Sequence, residues 1–439
     1  MKPIKLNIQI DAYDCYIYGS YIFFIMQDGR ILYGSYPQIL SRIKHKYQKF
    51  SELIKIAFLR NEYYHSDVAK TLLNIPGVKE CVYNEWKKYS LNEDLILKLD
   101  EINDLLSTLC TLKSTPLDTR IYGMRLFVGC TDGMYEVRLC PDSNSLNPKK
   151  IEKCFDGKVI NLNAKYGKIV LSLGHDGIAS ESIDVEGDEI TKVNDKNVIV
   201  QQHSNRTFWA DADIMNYSTP SEFSYFKNTV EERKRTGQKK FWEKYETKQI
   251  VNFATREYSM DEMIAKSRLK KEDISVSFNS KEKCFIQLKD GSIVSYNLKE
   301  EEDRSEVYPI FSTKRISLVP AENTKGFGRI LSGTIIPKGC AVEYFDKVVL
   351  LQNSTMQVIE NNEVMKVRSF MNSYRFQDLL SVTKQNSITL HALDTLNISK
   401  DLRPNNRNAY KSSKDMYDNV PDMPDFFIND KSGEDDLPL

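Results

Sequence analysis

No stretch of this sequence is both long and apolar. Its hydrophobic runs stay well short of the ~20 residues that a membrane span needs, and the opening MKPIKLNIQIDAYD has no apolar core of the signal-peptide kind. The expectation is a cytoplasmic protein with no membrane partner. Histidine is scarce: His45, His65, His175, His203 and His391 are all there are, with no H-E-x-x-H and no Cys/His metal spacing. The eight cysteines form no C-x-x-C pair, and most sit in apolar segments such as LFVGCTDG, so they read as buried free thiols. Charge of one sign is missing too. Lys and Arg total 61, as do Asp and Glu, so only local asymmetry can argue for nucleic acid or an acidic partner. There is no G-x-S-x-G elbow. The glycine-rich GFGRILSG lacks the Gly-Lys-Ser/Thr of a phosphate loop and runs into the extended Thr334-Ile335-Ile336-Pro337. No catalytic residue, metal ligand or cofactor is expected from these absences.

What is present is repetition. FFIMQDGRILYGSY (23–36) reads as a hairpin, with Asp28-Gly29 supplying the positive φ of a tight turn between apolar, alternating strands. The unit returns as LFVGCTDGMYEVRL (126–139), IVLSLGHDGIASESI (169–183) and CFIQLKDGSIVSYNL (284–298). Degenerate copies follow at 348–360 and 379–393, and a weaker one at 206–218 turns on Asp211-Ala212-Asp213. Short β-rich stretches such as KVINLNAKYG lie between copies, giving three or four strands per unit. A lone hairpin cannot bury both faces, so such units must stack around a shared core. The spacing, 44 residues from Gly133 to Gly177 and 33 from Ser354 to Ser387, brackets a unit of ~40 residues. Short four-stranded sheets repeated radially make a β-propeller.

At this level residues 5–395 resemble the WD40-like β-propeller superfamily, although the Trp-Asp dipeptide and the repeated Gly-His signature of true WD40 units are missing. The resemblance implies a mainly β, seven-bladed propeller. Residues 1–37 would form a closing strand and first blade, and 119–217 and 273–398 further blades. Closure needs a device that protects the sheet edges. KLNIQID (5–11) alternates Leu6, Ile8 and Ile10 against polar residues, as an outer strand completing the last blade would.

Two insertions and a tail interrupt the repeat. Over 38–118 the period changes from two to 3.6, which predicts an α-helical insertion. Its clearest helix is expected over 90–112, capped by Ser90 and Glu93, with Leu95, Leu99, Ile102, Leu106 and Leu109 as a narrow seam. That seam would either pack internally or bind a partner. The second insertion, 218–272, is expected to be helical and carries FKNTVEERKRTGQKKFWEKYETK (226–248), with eight Lys and Arg against four Glu. There Arg233, Lys234, Arg235, Lys239, Lys240, Trp242 and Tyr245 interleave cations with aromatics. Such a stretch can meet nucleic-acid phosphates and bases or an acidic protein, or be a solvated helix with its aromatics folded back. From 399 the chain turns polar and is expected to be disordered. Residues 415–439 hold eight acids against one Lys, with Met423, Phe426, Phe427 and Ile428 embedded among them. The tail would either order on a partner or only aid solubility.

The functional expectation is a non-catalytic scaffold or adaptor subunit with one or more protein partners, working through these three elements. A nucleic-acid-associated subunit using 226–248 is the alternative, and a propeller enzyme with a rim site a second one.

Overall fold

The computed structural model describes residues 2–59, 71–73, 75–92, 95–141, 146–184, 190–233, 247–280, 283–303, 306–312, 315–337, 339–352, 355–370, 373 and 376–393. These residues are mainly β and form seven sheets, numbered I to VII along the chain. Sheet I runs Ala12–Tyr18, Tyr21–Met26, Arg30–Ser35, Leu106–Thr111, in that spatial order. Sheet II runs Pro116–Tyr122, Arg125–Cys130, Gly133–Pro141, Leu146–Asp156, and sheet III Asn161–Lys165, Lys168–Ser172, Ile178–Ser182, Val198–Val200. Sheet IV runs Arg206–Ala210, Asp213–Thr219, Glu222–Arg233, Thr247–Ser259. Sheet V runs Ile274–Ser280, Lys283–Leu288, Ile293–Asp303, and its outer position is divided between Glu306–Phe311 and Ile316–Val319. Sheet VI runs Ser332–Ile336, Gly339–Glu343, Val348–Gln352, Thr355–Glu360, and sheet VII opens with Lys366–Ser369, Leu379–Lys384, Ser387–Ala392.

The first strands of the seven sheets pack in a cycle. Each lies beside the first strand of the next sheet, and that of sheet VII lies beside that of sheet I. These strands run parallel and level with one another. The Tyr13 hydroxyl donates to Leu117 O at 2.7 Å, the Asn163 amide to Thr207 O at 2.7 Å, and Thr334 and Ser369 share a hydrogen bond of 2.7 Å. Polar side chains of one first strand thus satisfy backbone groups on the open edge of the next, which an inner edge strand requires. The arrangement is propeller-like. Its apolar packing lies between successive sheets, which is why Arg125–Cys130, covered on both faces, is buried throughout.

The fourth strand of sheet VII comes from the other end of the sequence. Ile4–Gln9 pairs antiparallel with Ser387–Ala392, in register Leu6↔Leu390 and Ile8↔Ile388. The expected closing strand is therefore in place, with Ile4, Leu6 and Ile8 on its buried face. Its other edge is covered as well, by a fifth strand, Leu95–Lys98, in parallel register Leu6↔Leu95.

That fifth strand corrects the reading of 90–112 as a helix. Helices α1 (Tyr36–Lys46), α2 (Ser51–Phe58) and α3 (Pro76–Asn92) do form in the insertion, but α3 ends where the next helix was expected to begin. Ser90, read as an N-cap, instead donates from its hydroxyl to Lys87 O at 3.2 Å near the end of α3. Leu95–Lys98 alternates buried and exposed residues, a period of two. Leu106–Thr111 supplies the outer strand that sheet I would otherwise lack. Two unfilled sheet edges thus outweigh the helical spacing of the leucines. The insertion 218–272 differs likewise. Its described part is mostly the long strands Glu222–Arg233 and Thr247–Ser259, with one short helix, α4 (Met260–Ile264), capped by Ser259 and Glu262.

All seven repeat copies are hairpins, but two are out of step. Five join the second and third strands of their sheets, whereas 206–218 joins the first and second of sheet IV and 348–360 the third and fourth of sheet VI. In those two sheets the central turn is Pro220-Ser221 or Phe345-Asp346, without the Asp-Gly signature. No helix among the described residues is long and apolar enough to cross a membrane.

Candidate interaction surfaces

The first strands gather an ionic cluster at the seam where the ring closes. Asp14, wholly buried, accepts from Thr119 Oγ1 at 2.6 Å, from Arg368 Nε at 3.1 Å and from Arg368 Nη2, and lies 3.0 Å from Lys366 Nζ. Asp118 takes Lys366 Nζ at 2.9 Å, Asn161 Nδ2 at 2.8 Å and the Leu162 amide at 3.1 Å. Arg368 lies over the Tyr16 ring at 4.7 Å and Lys366 over Tyr13 at 5.3 Å. Burial alone would raise both aspartates, but Arg368 and Lys366 outweigh it and hold the carboxyls below their usual range. Each carboxylate here is matched by cations, so the cluster's chemistry is that of a fastening between sheets VII, I and II. Glu343 differs: burial pushes its carboxyl up to about 7, only partly offset by Arg206 and Lys366.

A second cluster joins sheets VI and VII to the closing strand. Glu360 Oε2 accepts from Lys384 Nζ at 3.0 Å, while its Oε1 lies 3.1 Å from His391 Nε2 and 3.4 Å from Lys5 Nζ. Lys5 also donates to Ile359 O at 2.8 Å. Burial works to raise Glu360, but His391 and Lys384 bring it down to about 2. None of these residues stood out in the sequence, because Asp14 and Arg368 are 354 positions apart and meet only on closure. The available signal was an acid inside an otherwise strand-like AYDCYIY.

The strand order also sorts the connections. In each four-stranded meander the first-to-second and third-to-fourth turns leave from one end of the sheet, and the other connections leave from the opposite end. The long additions are third-to-fourth connections: the helical segment in sheet I, the extended hairpin of sheet II, the ribbon of sheet IV and that of sheet V. They leave one face of the ring, here called the extension face. In sheet IV, Lys227–Arg233 and Thr247–Arg256 pair only with each other, beyond the last contact with the second strand at Phe226. This two-stranded ribbon is anchored at its base. Asp213 accepts from the Tyr225 hydroxyl at 2.5 Å and the Asn228 amide at 2.7 Å, and the Ala254 amide donates to Asn228 Oδ1 at 2.9 Å. Ala254 has a φ of 47°, which fits the shift in pairing there.

The expected contact residues are dispersed. Leu95, Ile102 and Leu109 are buried, Leu99 is exposed and Leu106 half-buried, so they share no helical seam. Leu95 packs with the closing strand and helices of the insertion, and Leu109 with sheets I and II. Arg233 ends the first strand of the ribbon, while Lys234, Arg235, Lys239, Lys240, Trp242 and Tyr245 lie outside the described residues, as do Met423, Phe426, Phe427 and Ile428. The free-thiol reading holds for the described cysteines: Cys15, Cys110, Cys130, Cys154, Cys284 and Cys340 are buried, and Cys81 is exposed. Among the described residues no three His, Cys, Asp or Glu side chains converge as a metal site. The rings of His175 and His203 lie 4.4 Å apart, tilted by 53°, and join the turn of sheet III to the entry of sheet IV.

No family model and no curated protein matches this chain. Solved structures similar to it include the β-propeller domain of Cps50 (Swd1) from Myceliophteria thermophila, at 8% identity and a TM-score of 0.46, covering 89% of this chain and 100% of that one. The WD40 β-propeller domain of Doa1 follows at 10% identity and 0.38, covering 89% and 92%. BamB from Moraxella catarrhalis has 9% identity and a TM-score of 0.38, covering 66% and 87%. The propeller-like description rests on the strand order and its closure.

Proposed function

We propose that the chain is a seven-bladed β-propeller serving as a non-catalytic, cytoplasmic interaction scaffold, with its partners docked on the extension face. The observation that carries this reading is the asymmetry between faces. Second-to-third turns are tight in every sheet, whereas third-to-fourth connections are elaborated in sheets I, II, IV and V by a helical segment and three extended hairpins. A ring needs no such additions for its own closure, and projecting ribbons on a rigid frame offer contact surface without disturbing the core. The test is purification of the tagged full-length protein from its native host, with half the sample treated with nuclease. Stoichiometric proteins that survive nuclease and depend on the sheet IV and V ribbons support the scaffold. A protein that purifies alone, with a bound metal or small molecule, points to an enzyme instead.

A second reading is favoured by one feature of the sequence, the basic-aromatic stretch that follows Arg233 and precedes Thr247, between the two strands of the sheet IV ribbon. A nucleic-acid role would appear as binding that weakens steeply with salt and on Lys239→Glu/Lys240→Glu.

A further inference from the structure

The face opposite the extensions carries an apolar patch beside the mouth of the ring. Phe345, at the central turn of sheet VI, is 70% exposed, Leu331 50% and Met365 39%. Phe345 occupies a turn position where Asn, Asp or Gly is usual. The Leu331 amide donates to Glu343 O at 2.8 Å, which sets Leu331 beside the end of the strand Gly339–Glu343, two residues before Phe345. The Thr334–Ser369 hydrogen bond aligns sheets VI and VII, which brings Met365 level with Leu331. Cations lie near the patch: exposed Arg329 precedes Leu331 by two residues and Arg206 acts on Glu343, whereas Lys366 is held by Asp14 and Asp118. The opposing acids are weakened, since Glu343 is pushed up to about 7 by burial and Asp346 is paired with Lys347 at 2.6 Å, leaving Glu363.

We propose that this patch is a docking site for the chain's own acidic aromatic segment, DMPDFFIND (422–430), which would place its apolar residues on Phe345, Leu331 and Met365 and its aspartates against Arg206 and Arg329. The chemistry is complementary: Met423, Phe426, Phe427 and Ile428 alternate with Asp422, Asp425 and Asp430. The reach is sufficient. Leu393, the last described residue, follows the end of a third strand and so leaves from the extension face, with twenty-nine residues between it and Met423. A random coil of that length would span ~30 Å on average and an extended chain ~100 Å, against a sheet height of ~20 Å for six residues. Tethering holds the segment near the face at an effective concentration of order mM. The site lies on the face that the scaffold reading does not use, so the two can fail separately.

The test uses a labelled peptide of residues 418–432 and full-length chains, read by fluorescence anisotropy. Against a Phe426→Ser/Phe427→Ser chain, whose own segment is disabled, the peptide is expected to bind. Against the unmodified chain it should bind about tenfold more weakly, because the resident segment competes. Adding Phe345→Ser to the disabled chain should cost about tenfold again with the unfolding midpoint unchanged. Leu331→Ser serves if that variant does not fold. Equal affinity for the unmodified and disabled chains overturns the proposal, as does binding indifferent to both patch substitutions, or binding lost only on Lys239→Glu/Lys240→Glu.

Discussion

Arg368→Met tests whether the ring is fastened by the Asp14 cluster. The substitution keeps an unbranched apolar stem over the Tyr16 ring and removes the guanidinium that reaches both Asp14 oxygens and Thr119 Oγ1. Removing one partner of a buried ion pair costs about 3–5 kcal/mol, because the remaining charge stays desolvated. Asp14 keeps Lys366 at 3.0 Å and Thr119 at 2.6 Å, which argues for the lower end, about 3 kcal/mol. The assay is urea unfolding at neutral pH, followed by tryptophan fluorescence and far-ultraviolet circular dichroism. The double variant Asp14→Asn/Arg368→Met should lose clearly less than the two single losses added together, since each single change strands the other's partner. There is a pH signature as well. Asp14 is held below its unfolded value by Arg368 and Lys366, so its contribution is present above the unfolded pKa and is lost as pH falls toward the folded one. Arg368→Met moves that loss to higher pH. A cost under about 1 kcal/mol, or losses that simply add, would refute the argument that closure depends on this cluster.

Three further outcomes are expected. Ile8→Ala, wholly buried in the closing strand between two paired neighbours, should destabilise by about 2–5 kcal/mol in the same unfolding assay. Glu343→Gln should act in the opposite direction. With its folded pKa raised to about 7 by burial, the native carboxyl costs stability as pH rises from the unfolded value through 7, and the amide removes that cost, gaining up to about 3 kcal/mol at pH 8 but nothing at pH 4. A thermal-unfolding series from pH 4 to 8 reads the difference. Gly29→Ala should weaken the first hairpin, because a Cβ there would lie 2.3 Å from Leu112 O and φ is +85°. Hydrogen exchange over Tyr21–Ser35 in the folded variant reports it.

Much of the scaffold is legible in the residues themselves. The Asp28-Gly29 and Asp176-Gly177 turns mark hairpins that the structure contains, and the alternation of Leu6, Ile8 and Ile10 marks a half-buried strand in need of a neighbour. These are local properties: turn chemistry needs positive φ, and a period of two needs only one buried face. The helical spacing of Leu95 to Leu109 misleads because spacing shows how a segment can bury leucines and not which partner is waiting. Two sheet edges, that of Ile4–Gln9 and that of Arg30–Ser35, claimed Leu95 and Leu106 with Leu109 as strands, and Leu99 fell in a 3-10 turn between them. The degenerate turns of sheets IV and VI hid their own register, since Phe345-Asp346 turns without the usual residues.

By itself, then, the sequence determined the hairpin unit, its approximate number and the need for a closing strand, since each of these follows from interactions between residues close along the chain. Tertiary structure alone decided that Asp14, Asp118, Lys366 and Arg368 meet, that Leu95, Leu106 and Leu109 join strands, and that the additions of sheets I, II, IV and V leave from one face. Those outcomes depend on edges and charges brought together across hundreds of residues, where the cost of an unpaired strand edge or a buried lone charge is met only by whatever the closed ring places beside it.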